Sequence, residues 1–180
     1  MTGFRVGALV VLMMGVAGSG HAAPDPSWMK VDAAKKSVSL DLVSGWNAEN
    51  GALNYNGYFQ GDMTLVMPVG WIVKVSFTNH DGMLPHSMLV TKQYAKDDIP
   101  QEAGNAEVAI SKAYTDNPIG GLAPNEKDDF SFKTSDAGSF WLFCGVPGHG
   151  QQGMYVDLKV DPSAERPDVL IAKGAAAGRP

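Results

Sequence analysis

The chain has 180 residues, 44% of them hydrophobic and only 18% charged, which is ample apolar content for one packed domain. Its formal net charge of −5 argues against nucleic acid or an anionic membrane surface as a partner. One cysteine excludes an internal disulfide, and 21 glycines with 11 prolines favour strands and turns over helices.

Arg5 precedes the apolar run VGALVVLMMGVAG, Val6 to Gly18, and small residues follow as GSGHAAP. The run is short of the roughly 20 residues that a membrane span needs and matches the core of an export signal. Residues 1–22 are therefore expected to be a signal peptide cleaved after Ala22. Cleavage removes Arg5 and leaves 13 basic against 19 acidic residues, a net charge of −6. The working protein is expected to be periplasmic or otherwise exported, soluble, and not inserted in a membrane. A lone thiol in an oxidising compartment is vulnerable unless something protects it, and coordination to a metal would do so.

Residues 23–36 read as a flexible lead-in. From Ser37, SVSLDLV places Val38, Leu40 and Leu42 on one face of a half-buried strand. ALNYNGYFQGDMTLVMP suggests two strand pieces around Asn56-Gly57 and Gln60-Gly61-Asp62. WIVKVSFTN sets Trp71, Val73, Val75 and Phe77 on one face, and HSMLVTK is a further short strand. Residues 93–125 lose the rhythm and read as a long connection or insertion, within which EVAISKAY suits either a strand or a helical turn. DDFSFKT, SFWLFC and GMYVDLKV complete the series, with Gly and Pro at nearly every junction. Residues 37–161 thus form one all-β domain of about seven to eight strands, a Greek-key β-sandwich, followed by a C-terminal tail over 162–180.

The segment FWLFCGVPGHGQQGMYVDL, Phe140 to Leu158, holds the one cysteine. Five residues after Cys144 comes His149, and five after that comes Met154. Taken singly, a Cys ending an apolar strand is a small buried hydrophobe, a His in a glycine-rich loop is solvated, and a Met before a strand is core. Together, as C-x-x-P-G-H then Met between two strands, they supply a thiolate, an imidazole and a thioether. Two His, one Cys and a distant axial Met make the donor set of blue-copper electron-transfer sites. The missing imidazole must come from far along the chain. His21 leaves with the signal, which puts His80 and His86 in contention. His86 follows Pro85 and opens an apolar strand, a position that holds one rotamer, whereas His80 lies in the polar turn TNHDG; His86 is the expected ligand.

These motifs resemble the cupredoxins, the small type 1 (blue) copper proteins, and among them the sulfocyanins. The resemblance covers residues 37 to 160 and rests on NYNGYFQGDMTLVMPVGWIVKVSFTN, LPHSMLV and FCGVPGHGQQGM. It implies a ligand set of His86, Cys144, His149 and Met154 around one copper ion cycling between Cu(I) and Cu(II). It implies one-electron transfer between redox partner proteins as the function, without catalysis. By similarity to cupredoxins, the backbone N–H groups of Ser87 and Val146 should point at the Cys144 sulfur, and the Ser87 hydroxyl could tie the two ligand loops. Pro147 cannot donate and stiffens its loop. Trp141 and Phe143 are expected to flank the site, and Met83, Leu84, Pro85 and Gly148 to ring an exposed edge of His149.

Other classes fare worse. A copper oxidase or reductase needs a second centre, usually built from His-x-His pairs, which at most three remaining histidines cannot supply, and a binuclear copper site needs two cysteines. A periplasmic copper-binding or delivery protein is the alternative, although four mixed ligands trap a metal rather than release it. Gln151 or Gln152 could replace Met154 on the axis.

Overall fold

The computed structural model describes residues 25–176, 178 and 179. The expected signal peptide lies outside the described residues. Among the described residues, nine strands form two sheets, with three short 3-10 turns and no α-helix. Among the described residues, no helix is long and apolar enough to cross a membrane.

The first sheet contains β1 (Met29–Asp32), β2 (Ser37–Ser44), β4 (Ile72–Asn79) and β6 (Lys127–Lys133), in the order β1-β2-β4-β6. The second contains β3 (Met63–Pro68), β5 (Leu89–Lys92), β7 (Gly138–Phe143), β8 (Tyr155–Asp161) and β9 (Asp168–Ile171), in the order β5-β7-β8-β3-β9. The alternation read from the sequence decides which side chains face inward. In β4, Val73, Val75 and Phe77 are buried while Lys74 and Ser76 are exposed. In parallel register with it, β2 sets Val38 beside Val73, Leu40 beside Val75 and Leu42 beside Phe77. From the other sheet, Met63, Leu65, Met67, Leu142, Val156 and Leu158 close the same core. Each such fully buried side chain contributes about 1.5–3 kcal/mol through removal of apolar surface from water.

Two boundaries differ from the sequence reading. The supposed lead-in contains Trp28 and Met29, both core residues, and β1, which pairs antiparallel with β2. The supposed C-terminal tail contains β9, which pairs antiparallel with β3 and completes the second sheet. Beyond it, Arg179 returns to the first sheet: its guanidinium forks onto Asp41, 2.8 Å to the carboxylate and 3.1 Å to the backbone carbonyl. The Trp28 indole N–H donates to the Arg179 carbonyl at 3.0 Å.

The long connection over 93–125 has a structural task. It contains 3-10 turns at Lys96–Asp98 and Asn105–Glu107 and touches β5 through isolated bridges, so EVAISKAY is neither a strand nor a continuous helix. Its Tyr94, Ile99, Val108 and Tyr114 cover a second apolar cluster of Leu89, Ala103, Trp141 and Phe143 on the outer face of the second sheet. That covering explains why β7 reads as a continuous apolar run rather than an alternating one.

Candidate metal centre

The chain crosses from the first sheet to the second between β4 and β5, and His86 sits in that crossing. Buried Asn79 organises it: its side-chain amide donates to the carbonyls of Leu84 and Leu122, each at 2.9 Å. Its Oδ1 accepts from the Asp81 N–H at 3.0 Å and the Ser44 hydroxyl at 3.2 Å. His86 and Leu122 exchange backbone hydrogen bonds of 3.2 and 2.8 Å. Gly121 makes this pairing possible. Its φ is +70°, and a Cβ there would stand 2.9 Å from Val146 Cγ2 and 3.0 Å from the His86 nitrogen.

Cys144 directly follows β7, and Met154 directly precedes β8. The last β7–β8 rung pairs Phe143 with Tyr155, and the Cys144 N–H donates to the Met154 carbonyl at 3.1 Å. The loop between them folds on itself: the His149 N–H donates to Val146 and the Met154 N–H to His149, at 3.1 and 3.0 Å. The 93–125 connection braces it from outside, Gly148 donating to Gln101 at 2.7 Å and Ala103 to Gly145 at 3.1 Å. Phe143 supports it from below, so close that a Cβ on Gly150 would overlap the ring.

Hairpin and crossing therefore bring His86, Cys144 and His149 together. One ligand atom from each lies within 4.8 Å of the others, and all three residues are buried. Cys144 Sγ is 3.5 Å from His149 Nδ1, and the two imidazole rings are 5.0 Å apart between centroids. His86 Nε2 lies 3.0 Å from Asp81 Oδ2, which leaves Nδ1 as the nitrogen available to the cluster. That Nδ1 is buried and has no hydrogen-bond partner. A buried polar atom without a partner is costly, and a cation bound between these donors would satisfy it. Met154 is fully buried in the same core cluster as Cys144. The residues fit a soft transition-metal ion: a thiolate, two imidazole nitrogens and a thioether are copper-type donors.

Electrostatics agree with a site that needs a metal to carry charge. Burial pushes the Cys144 thiol up, against smaller opposing effects from the Ser87 and Val146 N–H groups. Burial lowers His86, and burial together with the neighbouring His86 lowers His149 to about 4. In the metal-free protein these groups are a neutral thiol and neutral imidazoles, and a metal must displace the thiol proton to bind.

The surrounding groups tie the two ligand loops together. The Ser87 N–H donates to Cys144 Sγ at 3.5 Å, with its hydroxyl 3.8 Å away. The same hydroxyl accepts from the Gly145 N–H at 3.0 Å, while the Tyr55 hydroxyl donates to the Ser87 carbonyl at 2.6 Å. His80 is exposed and outside the cluster. Gln151 and Gln152 spend their side-chain amides on the carbonyls of Ile99 and Gly148, each at 3.1 Å. Trp141 and Phe143 differ from expectation: they point to the outer cluster, and Trp141 stacks on Tyr155 at 4.0 Å instead of lining the sulfur. Asp81, Asn79 and Tyr55 escaped the sequence reading. The signal for Asp81 was the Asn-x-Asp-Gly turn itself, five residues before His86, which reads as solvated until a buried imidazole meets it.

Residues 24–171 match the family model described as the Sulfocyanin (SoxE) domain. The chain is 25% identical over 142 residues to the sulfocyanin of Sulfolobus acidocaldarius, spanning 77% of this chain and 71% of that protein. Among solved structures, the dithionite-reduced auracyanin of Roseiflexus castenholzii shares the fold with a TM-score of 0.50. Identity there is 21%, over 69% of this chain and 97% of that one. Auracyanin A, a blue copper protein of Chloroflexus aurantiacus, has a TM-score of 0.48 and 17% identity over 69% of this chain and 99% of that one. With the family model spanning most of its length, this chain belongs to the sulfocyanin family.

Proposed function

We propose that the protein is an exported type 1 copper protein that carries single electrons between redox partner proteins. In this reading Cys144, His86 and His149 would supply the strong donors to copper, and Met154 a weak thioether donor. Copper held there supplies one reversible electron, as Cu(I) and Cu(II). The observation that carries the reading is the convergence of buried His86, Cys144 and His149, with the Nδ1 of His86 lacking any hydrogen-bond partner. The chain's own contribution is rigidity. Ser87 fastens the His86 crossing to the Cys144 hairpin, the 93–125 connection braces the loop, and the sandwich core anchors both ends. Ligands held this firmly suit two oxidation states with little rearrangement between them.

Electron carriage fits the surroundings better than catalysis. His149 is 8% exposed, and the nearby crossing presents Met83, 84% exposed, and Leu84, 38% exposed. Such an apolar surface suits brief docking of small area and fast release.

The direct test is the visible spectrum of the protein loaded with Cu(II). An intense sulfur-to-copper charge-transfer band is expected, and Cys144→Ser should abolish it. An unchanged band in that variant would remove Cys144 from the site. Slow loss of copper to a chelator separates a carrier of electrons from a protein that hands copper on.

A further inference from the structure

A neutral imidazole holds its proton on one nitrogen and offers the lone pair of the other, and the hydrogen-bond partner of the first decides which is which. An ionised carboxylate can only accept. Asp81 Oδ2 at 3.0 Å therefore places the His86 proton on Nε2 and the lone pair on Nδ1, the buried atom without a partner.

Asp81 is itself held in place. Its Oδ1 accepts from the N–H groups of Met83 and Leu84 at 2.8 and 3.1 Å, and its own N–H donates to Asn79. Its side chain is only 9% exposed. Gly45 faces it so closely that a Cβ there would stand 2.9 Å from both Asp81 Cβ and Asp81 N. A carboxylate fixed on one oxygen by the backbone has only the other to offer, and that one meets the ring.

We propose that Asp81 is a positioning residue for the metal centre. It locks His86 in the tautomer whose Nδ1 lone pair serves Cys144 and His149, and it holds a negative charge behind that ligand. The proposal rests on the reading of His86 as a metal ligand. A carboxylate behind a ligating imidazole fixes the ring and raises its basicity, which favours the more highly charged metal state.

The isosteric variant gives the sharpest test, because the backbone dictates its orientation. In Asp81→Asn the two N–H groups of Met83 and Leu84 require the amide oxygen, so the NH2 group turns toward His86. It then donates to Nε2 and drives the proton onto Nδ1, the wrong nitrogen for a metal. A role confined to shaping the loop predicts the opposite: Asn keeps both backbone bonds and should do no harm, whereas Asp81→Ala should do the damage.

Nitrogen-15 NMR of the metal-free protein at neutral pH reads the His86 tautomer directly. Nε2–H is expected in the wild type and Nδ1–H in Asp81→Asn. Titration with Cu(II) alone, against a competing chelator, should show affinity about 10–100-fold weaker in Asp81→Asn, with a higher reduction potential in whatever copper binds. A wild-type His86 carrying its proton on Nδ1 overturns the proposal without any variant. So does an Asn variant that keeps the wild-type tautomer or affinity, with the metal-centre reading left standing. If the wild-type protein takes up no Cu(II), the metal-centre reading falls and this proposal falls with it.

Discussion

The loop Cys144–Met154 shows how much chemistry a few residues can announce and what they leave unsaid. Cys144 and His149, which converge with His86, were legible because they sit in one connection at regular spacing, and Met154, the proposed weak donor, closes the same connection. His86 was legible only by exclusion, through its stiff approach from Pro85. Its orienting partner was not legible, because hydrogen bonding of Asp81 to the ring depends on the turn closing over it. His149 also predicts how the metal-free protein answers acid. Burial, then the nearby His86, lowers it to about 4 in the folded protein, against about 6.5 in an unfolded chain. Between those values the unfolded state holds more protons, so stability rises with pH across that window. The metal-free protein should be fully stable with respect to this group above about pH 6.5, lose stability as pH falls toward about 4, and lose no more from it below. His86, also lowered by burial, adds to the same slope. Urea midpoints measured at steps from pH 7 to pH 4 check this, and a His149→Asn variant should show a shallower dependence. Equal slopes in the two proteins would mean that His149 is not held neutral by the fold.

Strands β4 and β8, and β2 from Val38 to Leu42, were readable from their period of two, since their core-facing residues alternate with less buried ones. Two of the four edge strands, β1 and β9, were not. MKVD and DVLI are four residues each, too short for a period to stand out, and only their pairing with β2 and β3 makes them strands. The 93–125 connection was opaque for a different reason: its contacts are isolated bridges and turn bonds, with no repeat to detect. Yet the unbroken apolar run in β7 already required something to cover its outer face. This bracing can be tested at Gly145, where a Cβ would come within 2.1 Å of the Ala103 carbonyl oxygen and 2.8 Å of that of Pro118. Both are backbone atoms, and Ala103 is also bonded to Gly145, so neither side can yield alone. Gly145→Ala should cost about 1–3 kcal/mol of unfolding free energy and weaken copper binding, because the displaced strand end carries Cys144. Gly82→Ala, with open space around it, should stay within about 0.5 kcal/mol of wild type. Chemical denaturation of the two variants side by side reads the contrast, and equal stabilities would show that the connection does not press on the loop.

Seen together, the two sheets are joined by packing through the core and by loops that cross between them, and the proposed ligands sit where a crossing loop meets a hairpin. His86 comes from the β4–β5 crossing, whereas Cys144, His149 and Met154 belong to the β7–β8 hairpin of the second sheet alone. A metal bound by all four would tie that crossing to the hairpin at one end of the sandwich. The unfolded chain offers the same four side chains only as scattered, weak ligands. A metal that binds the folded state much better than the unfolded one stabilises by mass action, by about 4 kcal/mol at a free concentration one thousand times its dissociation constant. For a domain of this size, with roughly 2–4 °C per kcal/mol, the thermal midpoint should rise by about 8–16 °C under that condition. Calorimetric scans at increasing Cu(II) should show the midpoint climbing with the logarithm of free metal. The same scans on Cys144→Ser should show most of that climb lost, since the thiolate is the strongest donor in the set. His80→Asn should climb like the wild type, because its exposed ring lies outside the cluster. A midpoint indifferent to Cu(II) in the wild type would mean that the convergence of His86, Cys144 and His149 is only packing, and that no metal joins the crossing to the hairpin.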